Sequence, residues 1–129
     1  MYWHVWFGTK YRRQTLTGEV ADLVEKVLSE RILRHGFEVL EFGIGVDHMH
    51  LLFQARDKSE LSAIARTLKA VSAREALRML RESNEGGLYD AFWARRYGYR
   101  QIEGHEIQNL REYVRGQGKG GTHATGGSL

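Results

Sequence analysis

Val46-Asp47-His48-Met49-His50-Leu51-Leu52-Phe53 sets one apolar residue between two histidines and then runs into three more apolar residues. Side chains alternate faces along a β-strand, so His48 and His50 stand together, roughly 7 Å apart along the strand, with Met49 on the other side. The run Leu51-Leu52-Phe53 favours a half-buried strand, which carries both imidazoles on a rigid element. Taken alone, the pair fits either a partial metal site or two incidental strand histidines. Which one holds depends on what the rest of the chain brings to that face.

Upstream, Phe37 to Val46 returns to period two with an irregularity near Leu40-Glu41, and so little chain separates it from the histidine strand that the two form an antiparallel hairpin. Before it, Val20, Leu23, Val24, Val27, Leu28 and Ile32 recur at helical spacing from Thr17 to His35, and Gly36 stands where a left-handed C-cap belongs. The first segment, Tyr2 to Thr9, is aromatic and β-branched. Trp3, Val5 and Phe7 share one face and Tyr2, His4 and Trp6 the other, the pattern of a strand buried on both sides. Lys10-Tyr11-Arg12-Arg13 follows at its end. A ring among cations can stack a base while the cations meet phosphates, and a solvated loop has the same composition.

Downstream, Ser59 can cap a helix carrying Leu61, Ile64, Ala65 and Leu68, and Ser72-Ala73-Arg74-Glu75 fits a capping box, which predicts two helical pieces or one bent one. Arg66, Lys69, Arg74, Arg78 and Arg81 make this segment basic, consistent with phosphate contact or with plain solvation. Ser83 to Gly87 reads as a loop, and the rings and arginines from Phe92 to Ile102 lead into a fourth strand. The last helix runs from Glu106 to about Gln117, with Ile107, Leu110 and Val114 on its buried side. Tyr113 and Gln117 lie one turn apart and share a face beside that stripe. From Gly116 to Leu129 six glycines with Thr, Ser and Lys predict a flexible tail, so residues 1–117 are expected to form one domain and 118–129 an appendage.

The order strand, helix, strand, strand, helix, strand is the ferredoxin-like split βαβ pattern, an α+β fold with an antiparallel sheet and helices on one face. A further C-terminal helix then carries the tyrosine. The composition narrows the chemistry. The 129 residues contain no cysteine, which removes disulfides, thiolate zinc sites and thiol nucleophiles. No apolar run reaches the roughly 20 residues of a membrane span, and residues 1–8 lack the cationic start of a secretory signal, so a cytoplasmic protein without a membrane partner is expected. The formal net charge of +3 permits a nucleic-acid partner without requiring one.

Two histidines make an incomplete metal site. Gln117 offers a neutral oxygen as a third ligand, which leaves positions on a divalent cation for phosphate oxygens and water. A tyrosine hydroxyl is a poor nucleophile at its ordinary pKa of about 10, and a cation that polarises the phosphorus centre can offset this. A Tyr113 packed by its ring alone is the simpler possibility.

Together these residues resemble the single-tyrosine transposases of the HUH nuclease superfamily, the TnpA-type enzymes of small bacterial insertion sequences, to which the REP-associated tyrosine transposases are related. The likeness spans nearly the whole domain in order: the aromatic strand ending in Lys10-Tyr11-Arg12-Arg13, Asp47-His48-Met49-His50-Leu51-Leu52, Leu68-Lys69-Ala70-Val71-Ser72-Ala73-Arg74, Phe92-Trp93 with Tyr97, and Tyr113 with Gln117. It departs from the usual pattern at Val46, Ala70, the Tyr97 to Ile102 segment and Gly116. The resemblance implies that His48, His50 and Gln117 bind Mg²⁺ or Mn²⁺. It also implies that Tyr113 attacks single-stranded DNA beside a hairpin, and that the protein is a homodimer joined edge to edge through its sheets. Lys10, Arg12, Arg13, Lys69 and Arg74 become expected DNA contacts. A noncatalytic or domesticated hairpin-binding protein, and a nuclease that uses water, remain alternatives.

Overall fold

The pleat of the histidine strand organises the molecule. In the computed structural model, which describes residues 1–83 and 91–117, this strand, β3, spans His48–Gln54. It pairs antiparallel with β2 (Val39–Ile44) on one side and β1 (Tyr2–Thr9) on the other, and β1 in turn pairs antiparallel with β4 (Trp93–Ile102). The strand order is therefore β2-β3-β1-β4, the split βαβ arrangement expected from the sequence. The irregularity expected near Leu40-Glu41 is a register shift between Val39 and Glu41.

One face of the sheet holds the main core. Trp3, Val5 and Phe7 of β1 meet Met49, Leu51 and Phe53 of β3 beneath two helices, α1 (Gly18–His35) and α2 (Lys58–Glu82). α1 ends as its sequence indicates: Gly36 has φ +68° and donates its N–H to the carbonyls of Ile32 and Leu33. Only a residue at ease in the left-handed region closes the helix this way.

α2 corrects one expectation and decides between two others. Its N-cap is Asp57, whose carboxylate accepts from Glu60 N at 2.9 Å, so Ser59 lies inside the helix. The helix also runs unbroken for 25 residues, with no restart at Ser72. Ser72 is fully buried, where a free hydroxyl would be costly. Its Oγ donates to Leu68 O at 2.7 Å and accepts from Trp93 Nε1 at 2.9 Å, so the residue satisfies itself within the helix and ties α2 to β4. The loop expected from Ser83 to Gly87 falls, beyond Ser83, outside the described residues, as does the expected tail at 118–129.

The second face is covered by the last helix, α3 (Ile107–Gln117), which packs on β2 and β3 after a short 3-10 turn at Gly104–Glu106. Glu103 N donates to Glu106 Oε1 at 2.9 Å in a capping box that starts the turn. Val114 is fully buried, and the Glu41 carboxylate on β2 faces Arg115 at 3.0 Å and Arg111 at 3.7 Å. Among the described residues no helix is long and apolar enough to cross a membrane.

The departure at Gly98 has a steric reason. Gly98 of β4 is the register partner of Trp6, and a Cβ at this position would overlap the Trp6 indole. Gly98→Ala is expected to cost about 1–3 kcal/mol through forced repacking. In a Trp6→Ala background most of that cost should vanish, a coupling that urea denaturation of the four proteins measures directly.

Candidate functional site

β3 presents His48, His50 and Leu52 to the face covered by α3, and β1 presents His4 and Trp6 beside them. His48 and His50 stand edge to face with ring centroids 5.1 Å apart. Their surroundings differ. His48 is partly open, and its Nδ1 lies 2.7 Å from Asp47 Oδ1, a carboxylate oxygen that also accepts from Arg12 Nη2 at 3.1 Å. His50 is buried, and its Nδ1 lies 2.9 Å from Nε2 of the equally buried His4. His4 had no assigned role in the sequence. Alternation puts it beside Trp6, and only the β1–β3 register brings it to His50.

A glycine and a strained turn shape this end of the sheet. A Cβ on Gly45 would come within 2.7 Å of the His48 ring, so glycine is what lets the imidazole lie across the hairpin. Lys10-Tyr11-Arg12-Arg13 forms a turn in which Tyr11 and Arg12 have φ of +59° and +52°. Left-handed backbone at two non-glycine residues is costly and persists only when neighbours fix it. Here Thr9 N donates to Asp47 O at 2.9 Å, Thr9 Oγ1 donates to Arg13 O at 2.7 Å, and Arg12 is drawn to Asp47. The turn leaves the Tyr11 ring exposed, with Lys10 Nζ 5.4 Å and the Arg13 guanidinium 5.0 Å from its centroid.

Tyr113 comes from α3 onto the histidines. Its ring stands edge to face with His50 at 5.5 Å and with His4 at 6.4 Å. Its hydroxyl is buried and has no hydrogen-bond partner among the described residues. A buried hydroxyl left in this state costs about 1–3 kcal/mol, which a purely structural tyrosine would ordinarily avoid. Burial also raises its pKa, so the phenol is protonated at rest. Gln117 closes α3 one turn further on, and its side chain lies outside the described part of the structure. Among the described residues no three His, Cys, Asp or Glu side chains gather around one point that could hold a metal ion.

The expected DNA-contacting residues divide into three groups. Lys10 and Lys69 line a hollow of about 540 Å³ together with Arg66 and Arg95, over a floor that includes Phe92 and Trp93. Lys69 already donates to Arg95 O at 2.8 Å, and burial lowers its pKa. Arg12 and Arg13 sit in the strained turn. Arg74 lies apart from both groups, lining the groove between α1 and α2 with Lys26, Arg31 and Arg78. Arg66 and Lys69 share one side of α2 and Arg74 another, a division fixed by helical phase. Arg95 is the addition, since it joins the hollow only once β4 is seen to run beside α2.

Electrostatics keep the pair neutral. Burial first, then the nearby charge of Arg100, lowers His4 to about 4. Burial, followed by His4, His48 and Arg12, lowers His50 to about 3. For Asp47 burial works upward, but the hydrogen bonds and charges of Arg12 and His48 outweigh it and hold the carboxylate below its usual value.

Residues 1–117 match the family model described as "Transposase IS200 like". The ISDra2 transposase TnpA of Deinococcus radiodurans is 30% identical over 118 residues, covering 89% of this chain and 82% of that protein. The transposase of insertion sequence element IS200 from Salmonella typhimurium is 26% identical over 115 residues, covering 89% and 75%. Among solved structures, a Deinococcus radiodurans R1 protein assigned as a transposase superposes with a TM-score of 0.68 at 25% identity, covering 91% of this chain and 90% of that one. A REP-associated tyrosine transposase bound to a REP hairpin superposes at 0.63 and 14% identity, covering 88% and 63%, a likeness of fold.

The depressed histidines predict a pH response. Both have a reference value of 6.5 when unfolded and lower values when folded, so below about pH 6.5 the unfolded chain binds protons that the native state refuses. Stability of the metal-free protein is then fully present above that pH. It should fall as pH drops toward 4, by up to about 1.4 kcal/mol per unit for each histidine. Urea midpoints measured in EDTA should trace this decline, and His4→Phe should flatten it.

Proposed function

Because the chain belongs to the IS200-like transposases, we propose that it cleaves and rejoins single-stranded DNA at hairpin-marked ends, with Tyr113 as nucleophile and His48, His50 and Gln117 as the residues that hold Mg²⁺ or Mn²⁺. The observation that carries this reading is the buried Tyr113 hydroxyl, unpartnered among the described residues and edge-on to His50. A buried hydroxyl beside two imidazoles, with no hydrogen bond among the described residues, supports its reading as a group that meets a substrate atom.

The donor set fits a divalent cation. Two imidazoles share a rigid strand face, Asp47 stands behind one of them, and Gln117 follows Tyr113 by one helical turn in the sequence. A bound cation would withdraw charge from a phosphate oxygen and offset the weak nucleophilicity of a phenol.

Tyr113 Oη forms a bond to the phosphorus, and the bond from phosphorus to the 3′ oxygen breaks. The phenolic proton passes to solvent, and the leaving 3′ oxygen takes up a proton from solvent. One product ends in a 3′ hydroxyl and the other is joined to Tyr113 through its 5′ phosphate. Attack of a 3′ hydroxyl on that phosphotyrosine restores the tyrosine and seals the new strand. The phosphodiester energy is kept throughout, so no nucleotide hydrolysis is required.

Lys10, Arg12, Arg13, Lys69 and Arg74 contact the DNA in this reading, with the hollow rimmed by Lys10, Arg66, Lys69 and Arg95 as the main docking surface for a hairpin. The hairpin held by the REP-associated structural relative motivates that choice of substrate. The protein acts in the cytoplasm as a homodimer, its sheets joined through their edge strands.

Incubation with hairpin-bearing single-stranded DNA and Mg²⁺ should give an adduct on denaturing gels that disappears in Tyr113→Phe. Failure of the unaltered protein to form it on a verified substrate would sink the reading, and cleavage that survives Tyr113→Phe would assign the attack to water. Gly45→Ala, which pushes the His48 ring aside, should reduce adduct formation by on the order of 10²-fold with the fold intact by circular dichroism. Lys69→Ala should weaken hairpin binding and lower the salt slope by about one, measured by fluorescence anisotropy.

A further inference from the structure

His50 cannot be an effective ligand through its Nδ1, because that nitrogen is engaged with His4 Nε2 at 2.9 Å. Only Nε2 of His50 is left to bind a cation, and a neutral imidazole offers a lone pair there only when its proton sits on Nδ1. That proton must then be donated to His4 Nε2, which requires His4 to carry its own proton on Nδ1. His4 Nδ1 is buried and has no hydrogen-bond partner among the described residues. Such a group is rare in a settled core and costs about 1–3 kcal/mol, so its presence calls for a compensating role.

The neighbouring ligand supplies the parallel. His48 Nδ1 faces Asp47 Oδ1 at 2.7 Å, a carboxylate that can only accept, so His48 donates its Nδ1–H there and would meet a cation through Nε2. We propose that His4 is a positioning residue that does for His50 what Asp47 does for His48: its Nε2 accepts the His50 Nδ1–H and so fixes the ring and the lone pair of a metal ligand. A carboxylate at position 4 would do this more strongly, but it would bring a full charge into a wholly buried site. A neutral imidazole acts as acceptor without that charge. Trp6, with its ring centroid 5.1 Å from that of His4, and the Tyr113 ring at 6.4 Å help to hold His4 in place.

The inference rests on the metal-site reading given above, and its test separates the two. Two-bond proton–nitrogen correlation of the imidazoles in the ¹⁵N-labelled, metal-free full chain, above the ordinary imidazole titration range, should place the proton on Nδ1 of both His50 and His4. A proton on His50 Nε2 would overturn the proposal, and this measurement needs no variant. Mn²⁺ titration followed by electron paramagnetic resonance should then show affinity reduced about 10–100-fold in His4→Phe. His4→Gln, which keeps an acceptor, should recover most of that loss. Equal Mn²⁺ affinity in all three proteins would also overturn it. Should the Tyr113 adduct form while Mn²⁺ affinity ignores position 4, only this inference fails. Should affinity depend on position 4 while no adduct forms, the transposition reading fails and the positioning role stands.

Discussion

The two-residue period of β3 is the constraint on which the rest depends. Met49, Leu51 and Phe53 must enter the core beneath α1 and α2, and the same pleat then forces His48, His50 and Leu52 to the opposite face. A one-residue slip would exchange the two sets, burying imidazoles in an apolar core and placing Met49 and Phe53 beneath α3. The large apolar side chains thus fix the register, and the register places the histidines. Fold stability and site geometry are coupled through one strand.

The second face carries the opposite balance. It buries polar groups, including the His4–His50 pair and a Tyr113 hydroxyl with no partner among the described residues, so α3 covers it at a cost. Full burial of Val114 contributes roughly 1.5–3 kcal/mol. The pairs of Glu41 with Arg111 and Arg115 are partly exposed and screened by water, so they add little. The apolar contact therefore holds the helix, and the charges mainly fix its rotation over β2. That rotation determines where the Tyr113 hydroxyl lies.

The basic turn after β1 connects to the same centre. Arg12 and His48 share one oxygen of Asp47, so whatever engages the Arg12 guanidinium also acts on the carboxylate that orients His48. Positive φ at Tyr11 and Arg12 shows how much the surroundings constrain this turn, since neither residue adopts that backbone by preference.

The sequence determined the elements and their faces by itself, because periodicity and cap chemistry are local. Gly36 ended α1 as its residue type requires, the irregularity beside Leu40 was visible in the alternation, and the order of elements left the split βαβ pattern as the natural arrangement. Local signals misled at Ser59, where the cap is Asp57, and left open at Ser72 a choice that the buried hydroxyl bridging Leu68 and Trp93 decides for one helix. His48, His50 and Tyr113 stood out as candidates by their spacing, but only the family resemblance gave them and the basic residues an expected role. Tertiary structure alone decided that His4 meets His50, that Gly45 and Gly98 make room for His48 and Trp6, and that Arg74 stands apart from Lys69. Each of these depends on strand register or helix packing between residues distant in the chain, and no local pattern encodes such a meeting.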